Sequence, residues 1–110
     1  MIKQAIRLII SDIDGTILDD QHQVDPKLKD MIPLLSREKI PFVLASARSP
    51  LGMEPIAREL GLGDNPLLAC YNGALVIKGD PQQAYETIIQ HPLDKKKIRT
   101  FLGLVHAAFP

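Results

Sequence analysis

Apolar and polar positions come in blocks along the chain, and each block predicts one element. Ala5-Ile6-Arg7-Leu8-Ile9-Ile10 is short, almost continuously apolar and rich in strand formers. Such a run suits a strand buried on both faces, as in a parallel sheet. It is expected to stop at the polar cluster Ser11 to Thr16. Residues 17–24 follow as a loop or a short flap hairpin. Asp25-Pro26 has the form of a helix N-cap with proline at the first helical position. Leu28, Ile32 and Leu35 recur at i, i+4 and i+7, and Met31 fills the stripe, which predicts a helix to about Glu38. Pro33 inside it predicts a kink or a late start.

Pro41-Phe42-Val43-Leu44-Ala45 predicts a second buried strand, ending at Ser46. Ser49-Pro50 repeats the cap-plus-proline signal. Met53, Ile56 and Leu60 form the next helical stripe, with Pro55 weakening its interior and Gly61 or Gly63 ending it. Leu67 to Tyr71 predicts a third strand. Asn72-Gly73 is a strong turn signal between that strand and Ala74-Leu75-Val76-Ile77. Gly79-Asp80-Pro81 marks a further turn, and Tyr85 to Gln90 alternates weakly as one more strand. From Asp94 onward, Ile98, Phe101, Leu102, Val105 and Phe109 share one helical face.

The order strand, helix, strand, helix, strand, hairpin, helix predicts an α/β fold: a Rossmann-like parallel sheet with right-handed crossovers. Ligands of such sheets bind beyond the carboxyl ends of the strands. The polar groups ending the three predicted strands are Asp12 with Asp14, Ser46 and Asn72. They are far apart in sequence, yet the topology brings them to one edge.

Composition narrows the partners. The 110 residues suit one domain with a modest core, 45% apolar and 24% charged. Lys plus Arg equals Asp plus Glu at 13 each, which leaves no electrostatic footprint for nucleic acid or an anionic membrane. Lys95-Lys96-Lys97 is most simply the solvated face of a helix. Cys70 is the only cysteine, so no intrachain disulfide forms, and a small buried core residue explains it better than a nucleophile does. No stretch approaches the ~18 apolar residues of a membrane span. Residues 5–10 are too short for the apolar region of a secretory leader. A soluble cytoplasmic protein is expected.

Asp12 and Asp14 carry the chemistry. Side chains two apart in an extended segment point the same way. Two carboxylates in one volume oppose each other's ionisation unless a cation is present. A hard divalent ion resolves this, and Mg²⁺ is the usual occupant of a phosphate site. Gly15 lets the chain turn sharply and bring backbone N–H groups toward an anion, and Thr16 adds a hydroxyl. One carboxylate can attack phosphorus; the other can protonate the leaving oxygen and later activate water. A solvated turn or a calcium-type loop is the alternative. Ser46 can donate to a phosphoryl oxygen or serve only as a cap or turn residue. Arg48 can pair with phosphate oxygens or stay a surface arginine. Asn72 can serve the hairpin turn alone or also point its amide into the site.

Ile10-Ser11-Asp12-Ile13-Asp14-Gly15-Thr16-Ile17 resembles motif I of the haloacid dehalogenase superfamily. Val43-Leu44-Ala45-Ser46-Ala47-Arg48 is similar to its motif II. Tyr71-Asn72-Gly73-Ala74 resembles the Asn-Gly-Ala segment of the Cof-type subfamily, phosphatases of sugar phosphates and related small phosphorylated metabolites. The resemblance covers nearly the whole chain. It implies a nucleophile and Mg²⁺ ligand at Asp12. It implies a general acid/base at Asp14, whose backbone carbonyl also binds the metal. Gly15 and Thr16 would form the phosphate loop, Ser46 would bind phosphate, and Asn72 would line the site. It also implies a core over residues 1–82 and the start of an α/β cap over 83–110. Nothing after Ala74 resembles the lysine of motif III or the acidic Gly-Asp motif IV. An N-terminal portion, truncated soon after the cap begins, is therefore expected. It would be weakly active or inactive alone, or would act as an incomplete module through a partner. Its uncovered final helix and sheet edge would favour a homo-oligomer. Burying Ile98, Phe101, Leu102 and Val105 would contribute roughly 1.5–3 kcal/mol each. A phosphoacceptor receiver domain has the right length, but its third strand would have to end in Asp, where this chain has Asn72.

Overall fold

The computed structural model describes residues 5–109. In chain order the elements are β1 (Ile9–Asp12), α1 (Pro26–Arg37), β2 (Phe42–Ala45), α2 (Pro50–Leu60), β3 (Leu67–Cys70), β4 (Leu75–Gly79), β5 (Tyr85–Gln90) and α3 (Lys95–Ala108). A short 3-10 turn, Tyr71–Gly73, joins β3 to β4. The strands form one sheet in the order β1-β2-β3-β4-β5. β1, β2 and β3 run parallel, and β4 and β5 continue the sheet antiparallel. This is the α/β arrangement expected from the alternation of elements.

Local signals set the helix starts. The Asp25 carboxylate accepts from the Lys27 N–H, with Pro26 opening α1. The Ser49 hydroxyl accepts from the Gly52 N–H, with Pro50 opening α2. Each cap satisfies an N–H that has no partner inside the helix. α2 ends at Gly61, whose φ of 75° is the left-handed conformation glycine adopts without strain. Neither proline delays or ends a helix: α1 continues through Pro33 and α2 through Pro55.

The core lies on one face of the sheet. Leu44, Leu68, Cys70 and Ile77 from neighbouring strands meet Ile32 of α1 and Met53, Ile56 and Leu60 of α2. The opposite face carries the row Ile10, Val43 and Leu67, and there Ile10 is 62% exposed. The expectation of a first strand buried on both faces is therefore overturned. Among the described residues β1 is an edge strand paired only with β2, and α1 and α2 cover the other face. The strand also starts later than expected and takes in Ser11 and Asp12, which pair with Leu44 and Ala45. An edge tolerates those polar side chains because only the backbone has to pair.

Residues 17–24 form a compact flap. Leu18 bridges both Asp14 and Val24. The Asp19 carboxylate accepts from the N–H groups of Gln21 and Gln23 and holds the tip. Ile17, Leu18 and Val24 anchor it in the core. Beyond β4, every residue of β5 is exposed. α3 begins at the Asp94 cap and exposes Phe101, Leu102 and Leu104. The expected apolar helical face is thus present and uncovered, and Phe109 caps the helix rather than belonging to it. Among the described residues no helix is long and apolar enough to cross a membrane.

Candidate active site

The carboxyl ends of β1, β2 and β3 lie side by side. Asp12 pairs with Ala45, and Ala45 with Ala69, so small residues stand beside the first aspartate. Ile13 is fully buried, whereas Asp12 and Asp14 on either side of it are exposed. A core anchor between two solvent-facing carboxylates follows from alternation in an extended segment. The chain then wraps around the Ile13 carbonyl, which accepts from the N–H groups of Thr16, Ile17 and Leu18. Gly15 makes this turn with φ of 76°, a conformation that would strain a side-chain-bearing residue.

Backbone bonds tie the segments after β2 and β3 together. The Ser46 N–H donates to the Ala69 carbonyl at 3.0 Å, and the Asn72 N–H to the Ser46 carbonyl at 2.9 Å. Ser46 is buried, and its hydroxyl accepts from the Arg48 N–H at 3.2 Å. Asn72 is exposed and left-handed, with φ of 56°. The link to β4, residues 71–74, is longer than a two-residue hairpin turn, and Tyr71 in it is left-handed as well.

Arg48 is the least anticipated member. Its Nε and Nη2 donate to the two carboxylate oxygens of Asp14 at 3.0 and 2.6 Å, and Nη1 donates to the Gly52 carbonyl at 3.2 Å. A fork-on-carboxylate contact of this kind has fixed geometry. The guanidinium's hydrogen bonds hold the Asp14 carboxyl below the usual carboxylate range, and its charge adds to this. No sequence signal links the two residues, which are 34 positions apart.

The donor set bears on a metal. One Asp12 oxygen, Oδ1, accepts from the Ile13 N–H at 2.8 Å, which leaves Oδ2 free of it. Among the described residues no three His, Cys, Asp or Glu side chains come together. Hard oxygen donors suit Mg²⁺ in kind, and that ion commonly takes one or two carboxylates and completes its shell with water and phosphate. Elsewhere, a cavity of about 400 Å³ lined by Leu35, Phe42, Leu62 and Leu67 lies near the amino ends of β2 and β3, away from these groups. Cys70 is buried in the core, as expected, and burial pushes its thiol up.

The same stretch of chain, residues 9–108, matches the profile of haloacid dehalogenase-like hydrolases. The chain belongs to that family. A Haemophilus influenzae protein with a provisional phosphatase designation is 36% identical over 97 residues, covering 88% of this chain and 36% of that one. The glucosyl-3-phosphoglycerate/mannosyl-3-phosphoglycerate phosphatase of Persephonella marina is 32% identical over 115 residues, covering 93% of this chain and 40% of that one. A Thermotoga maritima crystal structure superposes with a TM-score of 0.79 at 22% identity, over 94% of this chain and 37% of that one. That likeness concerns the fold. This haloacid dehalogenase-like chain thus spans well under half the length of the relatives it matches.

Proposed function

We propose that this chain carries the reaction centre of a Cof-type phosphohydrolase acting on small phosphomonoesters such as sugar phosphates. The observation that carries the proposal is Asp12 exposed at the end of β1, anchored by buried Ile13 and beside the linked ends of β2 and β3. Asp12 would attack phosphorus through a carboxylate oxygen and form an aspartyl-phosphate. The P–O bond to the alcohol breaks, and the departing oxygen takes a proton from Asp14, which first collects it from the incoming phosphate monoanion. Asp14 then accepts a proton from water as that water displaces the phosphoryl group, which returns Asp12 as carboxylate. Gly15 and Thr16 would receive the phosphoryl oxygens at the turn, with Ser46 and Asn72 on the far side.

Mg²⁺ would be held by the Asp12 carboxylate and the Asp14 backbone carbonyl. When bound it neutralises charge between nucleophile and phosphate. This assignment leaves the Asp14 side chain to Arg48, in keeping with the observed pair. Residues 83–110, with β5 and α3, would begin a cap over a core of residues 1–82. A lone, buried, free cysteine suits the reducing cytoplasm we assign to it. The test is turnover of p-nitrophenyl phosphate with Mg²⁺. Asp12→Asn should lose it; equal rates for the two proteins would remove Asp12 from the mechanism.

The uncovered apolar face of α3 favours a second reading. The chain would then act as an incomplete module completed by self-association or by a partner. A strictly monomeric chain by light scattering, at all concentrations, would contradict it.

A further inference from the structure

We propose that Arg48 is a positioning residue for Asp14 and not a ligand of the substrate phosphate. The inference rests on the reading of Asp14 as the acid/base. The paired edge of the guanidinium, Nε with Nη2, faces both oxygens of Asp14. The remaining nitrogen, Nη1, is bound to the Gly52 carbonyl in the first turn of α2. Each of the three nitrogens thus has a partner within the protein, and one N–H on Nη1 and one on Nη2 remain. This same paired edge is one that an arginine can use to hold a phosphoryl group bidentately. Arg48 cannot offer that edge to a phosphate while it grips Asp14.

The grip has a mechanical consequence. Asp14 sits on the turn after β1, where, among the described residues, only Leu18 of the flap bridges its backbone. Arg48 is fixed at three points. Its N–H rests on the Ser46 hydroxyl, its carbonyl accepts from the Tyr71 N–H, and its side chain holds Gly52. The pair therefore fastens a surface turn to the rigid edge formed by β2, β3 and the start of α2. Both ion-pair partners are partly exposed, at 33% and 51% of their side chains, so the pair adds little to stability. Its value lies in orientation: a bidentate contact fixes the carboxylate plane as well as its distance.

The experiment has two arms on the same protein. In the first, kinetics with p-nitrophenyl phosphate and Mg²⁺ compare wild type, Arg48→Ala and Arg48→Lys. The expected result is a fall in kcat of at least about tenfold for Arg48→Ala, with KM within about twofold, since misplacement of a reacting group by an ångström can cost that much or more. Arg48→Lys should recover less than half of the loss, because a point charge lacks the fork. A rise in KM with kcat unchanged would overturn the proposal, as would no change in either. In the second arm, the Arg48 Nε–H resonance is followed by NMR during titration with inorganic phosphate and in Asp14→Asn. The resonance should hold its place with phosphate and move or broaden in Asp14→Asn. Movement with phosphate, or indifference to Asp14→Asn, would overturn the proposal. Absence of turnover in wild type counts against the phosphatase reading, and the NMR arm then decides the role of Arg48 by itself.

Discussion

The Asn72 N–H donates to the Ser46 carbonyl at 2.9 Å, joining the residue after β2 to the turn after β3. Asn72 makes this bond with a left-handed backbone, φ of 56°. Asparagine tolerates the left-handed region better than other side-chain-bearing residues. Asn72→Gly should therefore leave stability within about 1 kcal/mol, while Asn72→Val should cost about 1–2 kcal/mol from the left-handed backbone. Urea unfolding of both variants checks this; equal midpoints would contradict it.

Asp14 should titrate unusually low. The hydrogen bonds from Arg48 are the main cause, opposed in part by desolvation and aided by the charges of Arg48 and His22. The folded value lies below the unfolded one, about 3.9. The pair's contribution to stability is therefore present above that pH and is lost as pH falls through the folded value. The Asp14 carboxyl carbon, followed by NMR, should show a midpoint below that of free aspartate, moving up in Arg48→Ala. The wild-type shift should shrink in high salt, because the pair is exposed. An unchanged midpoint in Arg48→Ala would contradict the assignment.

Gly79 closes β4 with φ of 126°. A Cβ there would lie 2.4 Å from the Ala84 carbonyl oxygen and 2.7 Å from the Tyr85 Cα. Both neighbours are backbone, so the turn itself would have to move. Gly79→Ala should destabilise by about 1–3 kcal/mol, as overpacking does, and amide exchange should speed up first at Tyr85. Unaltered exchange along β5 would contradict this.

Cys70 should resist alkylation at neutral pH. Its side chain is fully buried, and desolvation raises its pKa, so little thiolate is available. Labelling by iodoacetamide should become fast only in denaturant. Rapid modification of the folded chain would contradict the packing described.

What the sequence revealed was what neighbours decide. Asp25-Pro26 and Ser49-Pro50 announced their helices because each cap acts two or three residues away. The three-strand edge was legible because strand ends follow from apolar runs. The exposure of Ile10 was not, since an apolar run specifies an apolar surface and says nothing of what covers it. The grip of Arg48 on Asp14 was equally hidden, because it depends on how the start of α2 meets the turn after β1. The left-handed Tyr71 had no marker either, since tyrosine carries no turn preference of its own.

The central claim is that Asp12 is the nucleophile. It is tested most directly by trapping the phosphorylated enzyme. With Asp14 as the proposed base for water, Asp14→Asn is expected to slow hydrolysis of an aspartyl-phosphate, so this variant should accumulate the adduct on incubation with p-nitrophenyl phosphate and Mg²⁺. After acid quench and borohydride reduction, peptide mass spectrometry should locate the modification at Asp12. It should vanish when Asp12→Asn is added. Labelling at another residue, or equal labelling with Asp12 replaced, would contradict the account.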